Sequence, residues 1–235
     1  MSTELTYQEF FEAQFQAANK EELQWDPSDN LDITYKFDAQ ISQGWKREID
    51  LREGLDLYLD HHQPIDHMLI NFPEAACQFI HFSYCLSGKG EITSRYSSNK
   101  TTTGKYYLRT NGLLPQHIGN YPNTEPFQFL QISICPSTLY SFNASPGEEL
   151  PRKLQHLIKS LNQELYIRYA DTQPQMATVI QQILRCPYQG MVKRAYLESK
   201  VIELMALVLD HEVAIQQGET NKISLKPEQL ERVHY

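Results

Sequence analysis

Little in this chain points to metal, phosphate or membrane chemistry. Its 235 residues include only four cysteines, Cys77, Cys85, Cys135 and Cys186, and none are in CxxC spacing. That argues against a disulfide scaffold or a cysteine zinc site and favours reduced thiols in the cytoplasm. No run approaches the ~20 consecutive apolar residues of a membrane span. The start, MSTELTYQEFF, lacks the positive flank and apolar run of a signal peptide. Positive charge is scarce too: 21 Lys and Arg against 29 Asp and Glu leave a net charge of -8. A nucleic-acid binder needs a basic face to displace counterions from phosphate, so this chain does not read as one. GxSxG, HExxH and phosphate-cradling glycine loops are missing, and SGKG at Ser87 to Gly90 reads as a turn between strands. What remains is a globular composition, 41% apolar and 11% aromatic, sufficient for one domain with a helical extension or two small domains.

The periodicity supports an α+β fold. Leu5 to Lys20 reads as an amphipathic helix with Phe10, Phe11 and Phe15 on adjoining turns, followed by a loop at Asp26 to Asn30. From Gly44 the period becomes two. Trp45, Arg47, Ile49 and Leu51 point one way, and Lys46, Glu48 and Asp50 the other. After a turn at Glu53-Gly54, Leu55, Leu57, Leu59 and His61 alternate with Asp56, Tyr58 and Asp60, which predicts a hairpin. Further strands are expected at 65–71, 77–86, 90–96, 105–108 and 127–134, separated by turn signals. Many short strands suggest a cupin-like antiparallel β-barrel or jelly roll, a shape that can enclose one small ligand. Beyond Cys135-Pro136 a C-terminal helical subdomain is expected, with helices near 137–142, 150–169 and 175–184 and a long one after them.

That long helix is the stretch CPYQGMVKRAYLESKVIELMALVLDH, Cys186 to His211, with no Pro or Gly between Gly190 and Gly218. Leu197, Val201, Leu204 and Val208 alternate at spacings of four and three, the seam that two helices share. Ala195, Ile202, Met205 and Leu209 form a second row beside it. The pattern leaves two readings open. In one, both rows are core of a single chain; in the other, one row packs on its own domain and the Leu197–Val208 seam serves a homodimer. Lys226 to Tyr235 begins another helix with Pro227 and Glu228 well placed near its first turn, and reads as unfinished, so a sensor fragment of a longer protein is expected.

Candidate chemistry is limited. His61, His62 and His67 form HHxxxxH, but in an extended segment His61 and His62 face opposite sides of the sheet and cannot share an ion. Metal-dependent cupins carry two histidines one residue apart and a Glu soon after. Near His81 the chain reads His81, Phe82, Ser83, Tyr84, Cys85, so no metal ligand set is expected. The barrel instead offers aromatics and cations for a planar ligand with an acidic group: Trp45, Arg47, Phe79, His81, Tyr84, Arg95, Tyr107, His117 and Phe129. Arg47, on an apolar strand face, needs either an internal carboxylate or an anionic ligand.

Several stretches resemble one family. CPYQGMVKRAYLESKVIELMAL closely resembles the segment joining the sensor domain to the DNA-binding module in a branch of the AraC family of transcriptional regulators, the branch of pyochelin-type iron and siderophore regulators. WKREIDLREGLDLYL (Trp45 to Leu59), FSYCLSG (Phe82 to Gly88) and QISICPSTL (Gln131 to Leu139) are similar to the same branch. The two helix-turn-helix units that the family ordinarily carries next are not in this sequence. The resemblance implies a non-enzymatic sensor, a small-molecule effector such as a ferric siderophore with no resident cofactor, a homodimer, and DNA contact only through that further module. The expected organisation is an N-terminal helix and loop (1–30), a sensor barrel (31–135), a helical dimerisation and linker subdomain (136–225) and the start of a truncated linker (226–235). A stand-alone cupin-like enzyme is the alternative.

Overall fold

The larger of the two main sheets is apolar on one face and polar and aromatic on the other, and this asymmetry organises the molecule. The computed structural model describes residues 2–18, 23–95, 97–143 and 147–218, without the side chains of 14–18. In chain order the elements are β1 (Ser2–Thr6), α1 (Tyr7–Ala18), β2 (Gln24–Asp26), β3 (Asp29–Lys36), β4 (Ser42–Arg52), β5 (Leu55–Pro64), β6 (His67–Phe72) and β7 (Ala75–Cys77). There follow β8 (Ile80–Ser87), β9 (Lys89–Ser94), β10 (Ser98–Thr102), β11 (Lys105–Arg109), β12 (Gly112–Leu114), β13 (His117–Tyr121) and β14 (Phe127–Ile134). The rest is α2 (Pro136–Tyr140), a single 3-10 turn at Gln155–Leu157, β15 (Ile167–Asp171), α3 (Pro174–Leu184) and α4 (Gly190–Gln216).

An eight-stranded sheet runs β15-β11-β8-β14-β5-β4-β3-β2, a five-stranded sheet runs β1-β6-β13-β9-β10, and β12 pairs with β7. The α+β class holds, as a cupin-like β-sandwich with helices on its outer side. The expected barrel does not close. Each sheet keeps its own edges, because the larger one continues into β2–β4 and β15 instead of curling back to pair with the smaller. The β4–β5 hairpin forms at the predicted turn, where Gly54 adopts φ +72°, a conformation that favours glycine. Around α1, Thr6 and Glu9 form a capping box: the Glu9 carboxylate accepts from Thr6 N at 2.8 Å, and Glu9 N donates to Thr6 Oγ1 at 3.2 Å.

The apolar rows of β4, β5, β8, β11 and β14 face the helices. Ile49, Leu51, Leu55, Leu57, Ile80, Phe82, Leu108, Leu130, Ile132 and Ile134 form one core with Met176, Val179, Ile180 and Ile183 of α3 and the inner face of α4. Fully burying each such side chain contributes roughly 1.5–3 kcal/mol.

Three expectations are corrected here. The helix expected at 150–169 is absent; the segment forms the 3-10 turn and then β15, whose Ile167–Asp171 pair with Lys105–Arg109 and extend the sheet. Pro151 and the β-favouring Tyr166, Ile167 and Tyr169 make an edge strand the better use of these residues. The dimer seam is also corrected: Leu197, Val201, Leu204 and Val208 are 2%, 0%, 0% and 0% exposed within this one chain, so its own core consumes them. The N-terminal helix starts at Tyr7, after a strand that pairs in parallel with β6. The helix expected over Lys226 to Tyr235 lies outside the described residues.

Buried ionic clusters tie both ends of α4 to the sheet. Near its start, buried Lys193 reaches Asp26 at 2.6 Å and Asp32, while Arg194 pairs with Asp29. Near its end, buried Glu212 meets His156 at 2.9 Å, Tyr166 OH at 3.0 Å and Arg168 at 3.3 Å, and Tyr106 OH bonds His211 Nδ1 at 2.7 Å.

Candidate functional site

Side-chain alternation sends the second face of the large sheet into the sandwich. Ladder register aligns Lys46 with Asp60 and Phe129, Tyr58 with Gln131, Ser83 and Tyr107, and Ser133 with His81 and Arg109. Opposite them stand Met68, Ile70 and Phe72 of β6, Ile92 of β9, and His117 and Tyr121 of β13. Between the sheets lies a chamber of about 470 Å³, reached also by Tyr7, Phe10 and Phe11 of α1. A side chamber of about 180 Å³ shares Ile92, Tyr107, Arg109, Leu114 and His117 with it. The larger volume is within the usual range for small-molecule sites.

Aromatic rings form much of the wall. Phe127 stacks with Phe129 at 5.6 Å, Phe129 lies 5.7 Å from Tyr107, and Tyr107 lies 5.6 Å from Tyr169. Phe72 stacks on His117 at 4.5 Å with an interplanar angle of 3°. Four residues that line the chamber each carry a buried polar atom with no protein hydrogen-bond partner: Asp60 Oδ1, His62 Nδ1, Thr101 Oγ1 and Arg109 Nε. A buried orphan of this kind costs about 1–3 kcal/mol unless something else bonds to it. Burial raises the Asp60 carboxyl to about 6, with Lys46 opposing the shift and Glu48 adding to it. Burial lowers the His62 imidazole to about 4, helped by His61, so it is neutral at ordinary pH. Burial also holds His81 well below its usual range, with Arg109 contributing; its Nδ1 contacts Ser133 Oγ at 2.8 Å and its Nε2 contacts Cys77 Sγ at 3.5 Å.

The residues singled out from the sequence divide by strand face. Tyr107, His117 and Phe129 line the chamber. His81 faces the same side, joined to it through Cys77. Trp45 and Arg47 do not line it. They sit on the opposite face, where Trp45 packs beside the helical core and Arg47 makes two bonds to Asp32, at 2.8 and 2.7 Å. Tyr84 also points toward the helices, stacked with Tyr106 at 5.6 Å. Phe79 is exposed with its ring 6.4 Å from His81, and Arg95 lies in an exposed bend after β9; neither borders the chamber.

Lys46, Asp60, His62, Arg109, Tyr121, Phe127 and Gln131 line the chamber but were not named as ligand residues from the sequence. Parity was the available signal: once the apolar row of the hairpin is assigned to the helices, Lys46, Asp60 and His62 must face the other way. His61, His62 and His67 are dispersed. His61 lies edge-on to Trp45, His62 packs on Phe37, and His67 Nε2 meets Asn120 Oδ1 at 2.6 Å. Among the described residues no group of three or more His, Cys, Asp and Glu could hold a metal ion.

A chamber between two sheets, with a helical layer on the outer face of one of them, makes this a cupin-like β-sandwich module. The chain belongs to the family of the regulatory protein PchR N-terminal domain, which matches residues 43–231. It is thus a regulatory module of the AraC-type sensor region that the four sequence stretches resemble. No curated protein matches the chain. Solved structures with similar folds include ToxT from Vibrio cholerae in an apo variant form, at 9% identity and TM-score 0.48 over 74% of this chain and 68% of that one. Unsaturated fatty acid-bound wild-type ToxT is similar at 10% identity and TM-score 0.47, over 69% and 57% of the two chains. The nickel(II)-bound pirin YhhW from Escherichia coli is similar at 12% identity and TM-score 0.34, over 51% of this chain. The chain spans 42% of the length of that pirin and 29% of a Bacillus subtilis oxalate decarboxylase. Among the described residues no helix is long and apolar enough to cross a membrane.

Proposed function

We propose that this chain is the effector-sensing part of a cytoplasmic DNA-binding transcription regulator, and that the inter-sheet chamber receives the effector. The observation that carries the reading is the aromatic chamber of about 470 Å³, four of whose lining residues carry a buried polar atom without a protein partner. We propose a ferric siderophore as the effector, its iron held by the chelate and not by protein ligands, with iron-uptake genes as the output. In this reading residues 31–135 and 136–225 act as sensor and helical linker, and a separate helix-turn-helix module contacts DNA. A homodimer would use a surface other than the buried seam of α4.

The path from chamber to helix is short. Lys46 lines the chamber, and the next residue, Arg47, holds Asp32 on the opposite face, where Lys193 of α4 joins them. An effector that favours one placement of β4 thereby favours one placement of α4; a coupling of ~1–3 kcal/mol is sufficient for a switch.

The test is calorimetric titration with ferric phenolate, catecholate and hydroxamate chelates, together with thermal unfolding. Saturating ligand at 100 times its Kd should stabilise the fold by about 2.7 kcal/mol. No heat and no thermal shift with any chelate would remove the siderophore assignment.

A further inference from the structure

The two ends of the chamber differ in charge. At one end, Arg109 of β11 lines both chambers with its Nε buried and without a protein partner. The residues that line both chambers with it, Tyr107, His117, Leu114 and Ile92, are uncharged at neutral pH, since burial keeps His117 below its usual range, and Glu164 is the acidic residue that lines the side chamber. At the other end, Asp60 of β5 has Lys46 beside it, but the Lys46 ammonium is already 2.9 Å from Glu48. Two carboxyl groups therefore share one lysine, and Asp60, which lines the chamber, keeps one buried oxygen, Oδ1, without a protein donor. Nearby, Thr101 Oγ1 and neutral His62, both more than nine-tenths buried, also lack protein partners.

Three inter-strand steps separate β11 from β5 in the order β11-β8-β14-β5. That is roughly 14 Å across the sheet at ~4.8 Å per step, and the register places Arg109 in the row of His81, Ser133 and Asp56, four residues along β5 from Asp60, roughly 13 Å more along the strand, so the two backbones lie about 20 Å apart. Phe129 and Tyr107 lie on the intervening and flanking strands, so the span between the polar ends is paved with rings.

We propose that the chamber recognises its ligand at two points: an anionic group held by Arg109 and a hydrogen-bond donor, hydroxyl or amine, held by Asp60, with a flat aromatic body between them. This rests on the chamber being the effector site, and it names the chemistry that the effector must present there. Arg109 offers a partly buried guanidinium, suited to charge-assisted bonds with a carboxylate or phenolate. Asp60 disfavours a second anion and rewards a donor. A wholly apolar ligand of equal size would leave both ends unsatisfied, and one with a single polar group would leave one.

The probes are 6-hydroxy-2-naphthoate, 2-naphthoate (without the donor) and 6-hydroxy-2-naphthamide (without the anion), titrated by calorimetry into the whole chain and its Arg109→Gln and Asp60→Asn variants. Thermal unfolding confirms that each variant is folded, and Arg109→Lys provides a charge-preserving control. Arg109→Gln should weaken 6-hydroxy-2-naphthoate binding 10- to 100-fold yet leave the naphthamide nearly unchanged. Asp60→Asn should weaken the hydroxylated acid and spare 2-naphthoate. Losses that fall equally on charged and uncharged probes would overturn the two-point assignment. So would a wild-type chain that binds none of the three but still binds ferric chelates, in which case the sensor reading survives. Failure of both probe sets would remove the sensor reading as well.

Discussion

Replacing Lys193 by Met should loosen the start of α4 from the sheet, and its cost can be worked from the contacts. The lysine side chain is 4% exposed and faces Asp26, Asp29 and Asp32, of which the last two are each 2% exposed. Removing one partner of a buried ion pair costs about 3–5 kcal/mol, because the remaining charge loses its counterion without regaining water. Two contacts soften the loss: Arg47 keeps both bonds to Asp32, and Asp26 is partly exposed. The lower end, about 3 kcal/mol, is therefore expected. For a chain of this size that is a fall in Tm of about 6–12 °C. Urea unfolding gives the free energy directly. A second replacement, Asp32→Asn, should recover part of the loss by removing the charge left behind, so the two changes should be non-additive by ~1 kcal/mol or more. The acid side supplies an independent check. Burial works to raise the Asp32 carboxyl, but bonds from Arg47 and Lys193 outweigh it and lower it overall. A carboxyl lowered in the folded state contributes stability above its unfolded pKa near ~3.9, lost as pH falls through the folded value. The gap between wild type and Lys193→Met should therefore narrow below about pH 4. A loss under about 1 kcal/mol at pH 7, or strict additivity with Asp32→Asn, would refute the clamp.

Two further outcomes follow from burial. Val208→Glu places a carboxylate at a fully buried site, so circular dichroism and sedimentation should show an unfolded or aggregated chain; a folded monomer derived from a folded dimer would show that the seam is an interface after all. Asp60, raised to about 6 by burial with Lys46 opposing and Glu48 reinforcing, binds more protons folded than unfolded between about pH 4 and 6. Stability should therefore fall as pH rises through that window, with the penalty complete above about 6. Asp60→Asn should remove on the order of 1 kcal/mol of that dependence between pH 5 and 7 in urea unfolding.

Local pattern was informative wherever one neighbour decides a residue's environment. The β4–β5 hairpin, β14, α3 and α4 lie close to where alternation, helix formers and turn residues place them. The helix expected at 150–169 failed because its apolar residues fit two periods, and only the open edge of β11, distant in sequence, selects the strand. The lining of the chamber was partly legible for a related reason. Tyr107, His117 and Phe129 sit on the chamber face, whereas Trp45, Arg47 and Tyr84 sit on the helix face. An aromatic or charged strand residue does not reveal which of two covered faces it occupies. For Arg47 the internal carboxylate is the partner, and it comes from Asp32, fifteen residues away on β3.

The sequence by itself determined the elements that local spacing can specify: alternating strands, a long uninterrupted helix, the shortage of basic residues, and the stretches shared with one regulator family. The tertiary structure alone decided which face of the large sheet each alternating row would meet. Burial is a sum over every element packed against a residue. Apolar rows are drawn to the wide face offered by α3 and α4, and that leaves Lys46, Asp60 and Arg109 to surround the chamber.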